Sequence, residues 1–233
     1  MTTVAQGLSA ANARIDAASL AATLANERPR QAVTLLAVSK TQPAAAVRQA
    51  FEAGHRAFGE NYVQEALAKI AELSDLRSQL QWHLIGPLQS NKTRVVAEAF
   101  DWVHTIDRLK TAQRLSDQRP EGLAPMQLCL QVNISGEASK SGVAPAEVLA
   151  LAQAVSRLPR LRLRGLMAIP ESAQDLAGQR LPHRALRELL DQLNQHGLAL
   201  DTLSMGMSAD LEAAVLEGAT LVRVGTAVFG ARD

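Results

Sequence analysis

Lys40 follows an apolar run, VTLLAV, in the sequence VTLLAVSKT. An amine fixed against low-dielectric walls is disfavoured in its charged form, and a neutral amine attacks an aldehyde. In this way a lysine with an ordinary pKa of about 10.4 becomes a Schiff-base nucleophile at neutral pH. A lysine at a strand end is more commonly just a solvated charge, so its role depends on its neighbours. Far along the chain, SMGMSADLEAAVLEG places Ser208 two residues after Gly206, and RVGTAVFG places Thr226 directly after Gly225. Ser208 is placed to N-cap the helix ADLEAAVLEG, with its hydroxyl and the first free N–H groups turned toward an anion. Gly225 and Thr226 supply a second turn, with close backbone approach and another hydroxyl. Together they read as a phosphate cup. A serine N-cap is equally useful without a ligand, and Asp210 in the first helical turn would repel phosphate if it pointed inward.

Three further polar positions join this set. Arg223 belongs to a strand-like LVRV, where alternation puts it on one face with Leu221 and Gly225. If that face is an interior, the guanidinium needs an acceptor: the pyridine nitrogen of a pyridoxal ring is one, a carboxylate in a structural ion pair the other. Asn61, in GENY, is suited to hydrogen-bond a phenolic ring oxygen or simply to cap the helix NYVQEALAKI. His83 and His104 have no third ligand at metal spacing and read as hydrogen-bonded histidines, so no metal site is expected.

The elements that must position these residues follow from periodicity. Apolar β-type runs recur at about 33–38, 55–58, 81–85, 101–104, 126–132, 162–167, 200–204 and 221–224. Helical patterns such as PAAAVRQAFEAG, VQEALAKIAEL and HRALRELLDQLNQHG separate them, and a further helix precedes the first run. Runs that are apolar on both faces, alternating with helices, predict a parallel sheet, and closing eight strands into a (β/α)8 TIM barrel leaves no edge. An open doubly wound sheet is the competitor, weakened by the lack of a GxGxxG turn after the first strand. No linker breaks the chain, so residues 1–233 read as one barrel domain, with 169–184 (IPESAQDLAGQRLPHR), rich in proline and polar residues, expected as a mobile loop. In such a barrel the functional groups gather at the C-terminal ends of the strands.

Composition narrows the partners. A formal net charge of +1 gives no basic field for nucleic acid or anionic lipid, so small partners are expected. The single cysteine, Cys129, lies in an apolar run and reads as a buried, inert thiol; it excludes an intrachain disulfide and favours a reducing compartment. Arg14, Asp16, Glu27, Arg28 and Arg30 interrupt the first thirty residues, unlike a secretory signal, and no run approaches the ~20 apolar residues of a membrane span. A cytoplasmic protein is expected.

The blocks LLAVSKT, FGENYVQEALAKI, LQWHLIGPLQSNK, NISGEASKSG, LRGLMAIPE, SMGMSADLEAAVLEGAT and RVGTAVFGARD cover almost the whole chain. In order and spacing the sequence resembles the YggS/PROSC family of pyridoxal phosphate homeostasis proteins, whose fold is that of the N-terminal domain of alanine racemase. The resemblance implies pyridoxal 5′-phosphate (PLP) held as a Schiff base on Lys40, with Arg223 facing the pyridine nitrogen and Asn61 beside the ring. It places Ser208, Gly225 and Thr226 on the phosphate. Met167, Met205 and Met207 become candidate ring walls, although methionine there serves equally as core packing. His183 departs from the family pattern, which has an aromatic, usually Phe, ahead of ALRELLDQL; the change is expected to alter local packing on an outer helix or loop and leave the cofactor site untouched.

The resemblance also implies a carrier that regulates PLP supply, monomeric, with PLP-dependent apoenzymes as recipients. Racemisation needs proton donors and acceptors on both faces of the substrate carbon. Alanine racemases bring one of them as a tyrosine from a second domain of the partner subunit, whereas the one tyrosine here is Tyr62. An arginine at the ring nitrogen also weakens the electron sink. A weak PLP-dependent racemase is the alternative, and a class I aldolase a lesser one, since no acid–base relay is evident.

Overall fold

The computed structural model describes residues 3–25, 32–137, 140–171 and 173–230. Glu27, Arg28, Arg30, Ser172, two residues of the NISGEASKSG block and the last three of RVGTAVFGARD lie outside them. Eight parallel strands form a closed barrel in chain order: β1 Thr34–Val38, β2 Ala57–Glu60, β3 Gln81–Leu84, β4 Trp102–Ile106, β5 Met126–Gln131, β6 Leu161–Met167, β7 Thr202–Ser204 and β8 Leu221–Val224. The barrel shuts where β8 pairs with β1, Leu36 lying opposite Arg223 and Ala37 opposite Val224. This is the expected architecture, and the expected strand limits hold to within two residues, β2 being displaced by two at both ends. The second strand starts late because His55 and Arg56 are spent on the loop: the His55 ring sits 2.7 Å from the Ala57 carbonyl, and Arg56 donates back to Phe51 and His55.

The helices are α1 Val4–Leu24, α2 Ala44–Glu52, α3 Val63–Glu72, α4 Thr93–Ala99, α5 Leu109–Gln118, α6 Val148–Val155, α7 Leu176–Gln195, α8 Leu211–Leu216 and α9 Thr226–Phe229. Alternation divides the strand residues between two layers. Leu35, Ala37, Phe58, Trp82, Leu84, Val222 and Val224 face the helices and build the main core. Leu36, Ala57, Ile85 and Leu221 make a small separate apolar cluster on the inward face. Other inward positions are polar yet buried, namely His83, His104, Ser204 and Arg223. Cys129 is also fully buried, its thiol pushed up to about 12 by burial, as expected of an inert side chain.

The additional helix α1 opens with a reciprocal cap between Thr3 and Gln6 and packs on α2, α8 and α9. Its Gly7 lies so close to α9 that an added Cβ would stand 2.4 Å from the Val228 carbonyl oxygen. Two turns further on, Arg14 grips both carboxylate oxygens of Glu212 at 2.7 and 2.8 Å and donates to the Ser208 carbonyl at 2.9 Å. The helix therefore braces the two turns that follow β7 and β8.

The expected loop at 169–184 is mostly helix. Asp175 caps α7 by accepting from the Gly178 N–H at 2.8 Å, and Pro182 lies inside the helix. Two sets of contacts outweigh that proline: His183, Leu186, Leu190 and Leu193 are buried on one face, and Arg180, Arg184 and Arg187 converge on the buried carboxylate of Glu217. Sheet closure makes its own demand at Gly165, where a Cβ would lie 1.8 Å from the Thr202 carbonyl oxygen on β7. Gly165→Ala is expected to lower unfolding stability by about 1–3 kcal/mol through overpacking of β6 against β7, measured as a shift in the urea midpoint.

Candidate binding site at the barrel mouth

Lys40 is half-buried in the turn directly after β1. The next residue, Thr41, has φ 63°. A left-handed backbone at a β-branched residue costs about 1–2 kcal/mol and persists where surrounding contacts enforce it. Those contacts are present on both sides of the lysine. Before it, the Ser39 hydroxyl donates to Glu60 Oε1 at 2.6 Å and the Ser39 carbonyl accepts from Lys69 Nζ at 2.6 Å. After it, the Thr41 N–H donates to Glu65 Oε1 at 2.6 Å. Lys69 ties the two halves together, pairing with Glu60 at 2.7 Å and Glu65 at 2.6 Å.

Lys69 and Glu60 are buried, and burial pushes the Glu60 carboxyl above its ordinary range, outweighing the opposite pull of Lys69 and Ser39. Sequence reasoning missed this clamp. The i,i+4 spacing of Glu65 and Lys69 is visible in VQEALAKI, but that pattern ordinarily marks a solvated helix face. Nothing local shows that Lys69 turns inward beneath the β1 turn.

On one side of Lys40 lies the turn after β8. A Cβ on Gly225 would come 3.2 Å from the Val38 carbonyl oxygen, so this turn abuts the strand that carries the lysine. Thr226 opens α9 and is exposed. On the other side, Asn61 follows β2 and its backbone presses on Gly86, where a Cβ would meet the Asn61 carbonyl at 2.2 Å. Asn61 does not cap α3, since Tyr62 occupies that position. It instead lines a cavity of about 350 Å³ together with Ile85, Gly86, Thr105, Gln131 and Lys140.

The turn after β7 differs from the expectation. Ser208 does not cap α8; Asp210 holds that position, and Ser208 lies in the turn before it. The reason is that Asp210 closes the turn itself, its Oδ1 accepting from the Met207 N–H at 2.7 Å. Its Oδ2 lies 2.9 Å from His183 Nε2. Burial would raise the Asp210 carboxyl, but the bonds from His183 and the Met207 N–H hold it below the usual range. The carboxylate thus faces α7. His183, fully buried, is coupled to the turn that carries Ser208, contrary to the expectation that this departure leaves the site untouched. Met167 and Met205 are buried, Met205 in the main core, whereas Met207 is 39% exposed.

Arg223 is 4% exposed. Its Nη1 donates to the Ser204 carbonyl at 2.6 Å and the Ser204 hydroxyl at 2.8 Å, and its Nη2 to the Ala168 carbonyl at 2.8 Å. The carboxylate ion pair weighed from sequence is not formed among the described residues. Burial pushes the guanidinium down to about 10, so it remains charged at neutral pH. Its Nε–H makes no hydrogen bond to a described residue, nor do the hydroxyls of Ser208 and Thr226. No cluster of three metal-ligating side chains occurs among the described residues.

Comparison with known proteins identifies the family and the fold. Residues 15–233 match the family model for the alanine racemase N-terminal domain. The pyridoxal phosphate homeostasis protein of Pseudomonas aeruginosa is 63% identical over 233 residues, covering 100% of this chain and 97% of that protein. Its namesake from Escherichia coli K12 is 54% identical over 94% of this chain and 93% of its own length. PipY of Synechococcus elongatus PCC7942, solved with PLP bound, superposes with a TM-score of 0.81 at 41% identity, covering 98% of this chain and all of that one. Alanine racemase from Clostridium difficile shares the fold, with a TM-score of 0.74 at 12% identity over 95% of this chain and 58% of its own.

The clamp under Lys40 has a measurable consequence. Lys69→Met leaves Glu60 buried without its cation and is expected to cost about 3–5 kcal/mol in urea unfolding at pH 7. Adding Glu60→Gln to that variant is expected to restore part of the loss.

Proposed function

The chain belongs to the pyridoxal phosphate homeostasis proteins, a family built on the alanine racemase N-terminal domain, and from that membership we propose that it binds PLP at the barrel mouth and serves PLP supply as a carrier. The observation that carries this reading is the setting of Lys40, held on an enforced left-handed turn between the Gly225 turn and Asn61. Lys40 Nζ would hold PLP through its aldehyde carbon, the aldehyde oxygen being released as water. Ser208, Gly225 and Thr226 would take the phosphate through hydroxyl and backbone N–H groups. Asn61 would bond the phenolic oxygen, and Arg223 would donate to the pyridine nitrogen.

The residues fit that group. Two hydroxyls and one guanidinium N–H in this set have no other hydrogen-bond partner among the described residues, and the Asp210 carboxylate is turned toward His183. Bound PLP supplies an aldehyde that exchanges between amines and an electron sink for carbanions. Arg223, charged and without a proton acceptor, keeps the ring nitrogen unprotonated and so weakens that sink.

Catalysis of proton transfer at a substrate carbon needs an acid–base group on each face. Tyr62 is 57% exposed, and both His83 and His104 are buried in hydrogen bonds with other groups. These placements favour a carrier over a racemase. The same reading takes residues 1–233 as one unit, monomeric and cytoplasmic, passing PLP to PLP-dependent apoenzymes. Among the described residues no helix is long and apolar enough to cross a membrane.

Two measurements check this. Borohydride treatment of the PLP-loaded protein, followed by peptide mass mapping, is expected to put the pyridoxyl label on Lys40, and Lys40→Ala to abolish both label and visible absorption; a label on another lysine refutes the assignment. Amino acids incubated with the loaded protein in deuterated solvent are expected to exchange their α-proton no faster than with Lys40→Ala. Faster exchange identifies a racemase.

A further inference from the structure

Beneath Arg223 the barrel interior carries a run of hydrogen bonds that links strands three places apart in the sheet. Arg223 Nη1 donates to Ser204 Oγ on β7 at 2.8 Å. Ser204 Oγ lies 2.8 Å from His104 Nδ1 on β4, and His104 Nε2 lies 3.0 Å from His83 Nδ1 on β3. Ser204 and His104 are 0% exposed and His83 is 2% exposed. The His83 ring also stacks on Trp102, with ring centres 5.2 Å apart and planes 8° from parallel.

The direction of this chain follows from its first member. A guanidinium only donates, so Ser204 Oγ accepts from it and has one proton to give. The acceptor within reach is His104 Nδ1. The His104 proton then sits on Nε2 and is donated to His83 Nδ1, leaving the His83 proton on Nε2. That last N–H has no hydrogen-bond partner among the described residues. Reversing the chain would strand both the Ser204 hydroxyl proton and the His83 Nε2 lone pair, two buried groups instead of one.

We infer that Ser204, His104 and His83 form a one-way hydrogen-bond chain that positions Arg223 at the mouth and, with no place to accept a proton, insulates the proposed cofactor's ring nitrogen from protonation through the barrel interior. Ser204 and His104 are positioning residues in this sense. The direction of the chain stands on geometry alone, while its effect on the ring nitrogen rests on the PLP reading above.

The groups acting on the two rings support neutrality. Burial holds His83 down to about 3, helped by the nearby charge of His55. Burial holds His104 well below its ordinary value, with His83 and Arg223 pushing the same way. The Cys129 thiol, pushed up to about 12, stays neutral and offers no counter-charge.

Histidine nitrogen-15 NMR on the purified wild-type protein, with His83→Gln and His104→Gln variants for assignment, tests the direction. Both rings are expected in the Nε2–H form with Nδ1 unprotonated, unchanged from pH 5 to pH 8; an Nδ1–H ring, or titration in that range, overturns the chain. Its effect is tested by PLP titration of Ser204→Ala and, should that variant fold poorly, His104→Gln, following absorption. The expected result is binding weaker by about tenfold and a displaced absorption maximum, with the borohydride label still on Lys40. Lowered thermal stability with unchanged affinity and spectrum reduces these residues to packing and overturns the positioning role. If wild-type protein takes no label at Lys40, the cofactor reading fails while the tautomer result stands by itself.

Discussion

A guanidinium buried inside a barrel has to find acceptors on the walls around it, and the position of Arg223 depends on meeting that demand. Its acceptors are the carbonyls at the ends of β6 and β7, Ala168 and Ser204, together with the Ser204 hydroxyl. Because a charge of this kind is tolerated only when its donors are satisfied, the last three strands are held in one arrangement at the mouth. Satisfying it with neutral carbonyls has a second effect. No carboxylate among the described residues forms an ion pair with it, although Asp210 acts on its charge through space, so the cation remains available to a ligand.

The same economy appears under Lys40. Its turn is strained at Thr41, and the strain is maintained by three charges and a hydroxyl, all buried but the half-buried Glu65, in which Lys69 contacts the backbone before the turn and Glu65 the backbone after it. Glu60 sits deepest and is the least comfortable member, with burial opposing its charge. A cluster of this sort contributes little net stability compared with apolar packing, yet it specifies direction, since each carboxylate accepts from a particular backbone or side-chain donor. The site is therefore preorganised by groups that lie behind it.

The phosphate-side turns show the reverse problem. Asp210 and Glu212 lie at the start of α8, where carboxylates favour the helix but oppose an anion. Each is occupied from outside: Glu212 by Arg14 of the additional helix α1, Asp210 by His183 of α7. The N-terminal helix and the unusual histidine thus act on the same few residues from opposite sides. The N-terminal helix precedes the barrel's alternating repeat, whereas His183 reaches the turn from α7 within it.

From the sequence alone one can read the eight strands, the barrel class, and the residues delivered to its mouth, because alternation and apolar runs are local properties and β-ends in a parallel barrel point one way. Lys40, Asn61, Arg223, Gly225 and Thr226 were legible for that reason. What the sequence leaves open are the pairings between distant side chains. Whether Arg223 meets a carboxylate or carbonyls, whether Lys69 faces water or the β1 turn, whether Asp210 or Ser208 heads α8, and where His183 reaches are all decided by elements far apart in the chain. The two prolines, glycine and polar residues of 169–184 predicted a loop, and the burial of one helix face together with three arginines converging on Glu217 made it a helix from Leu176 onward. Local propensity is a preference of fractions of a kcal/mol per residue, and packing against the rest of the barrel overrides it.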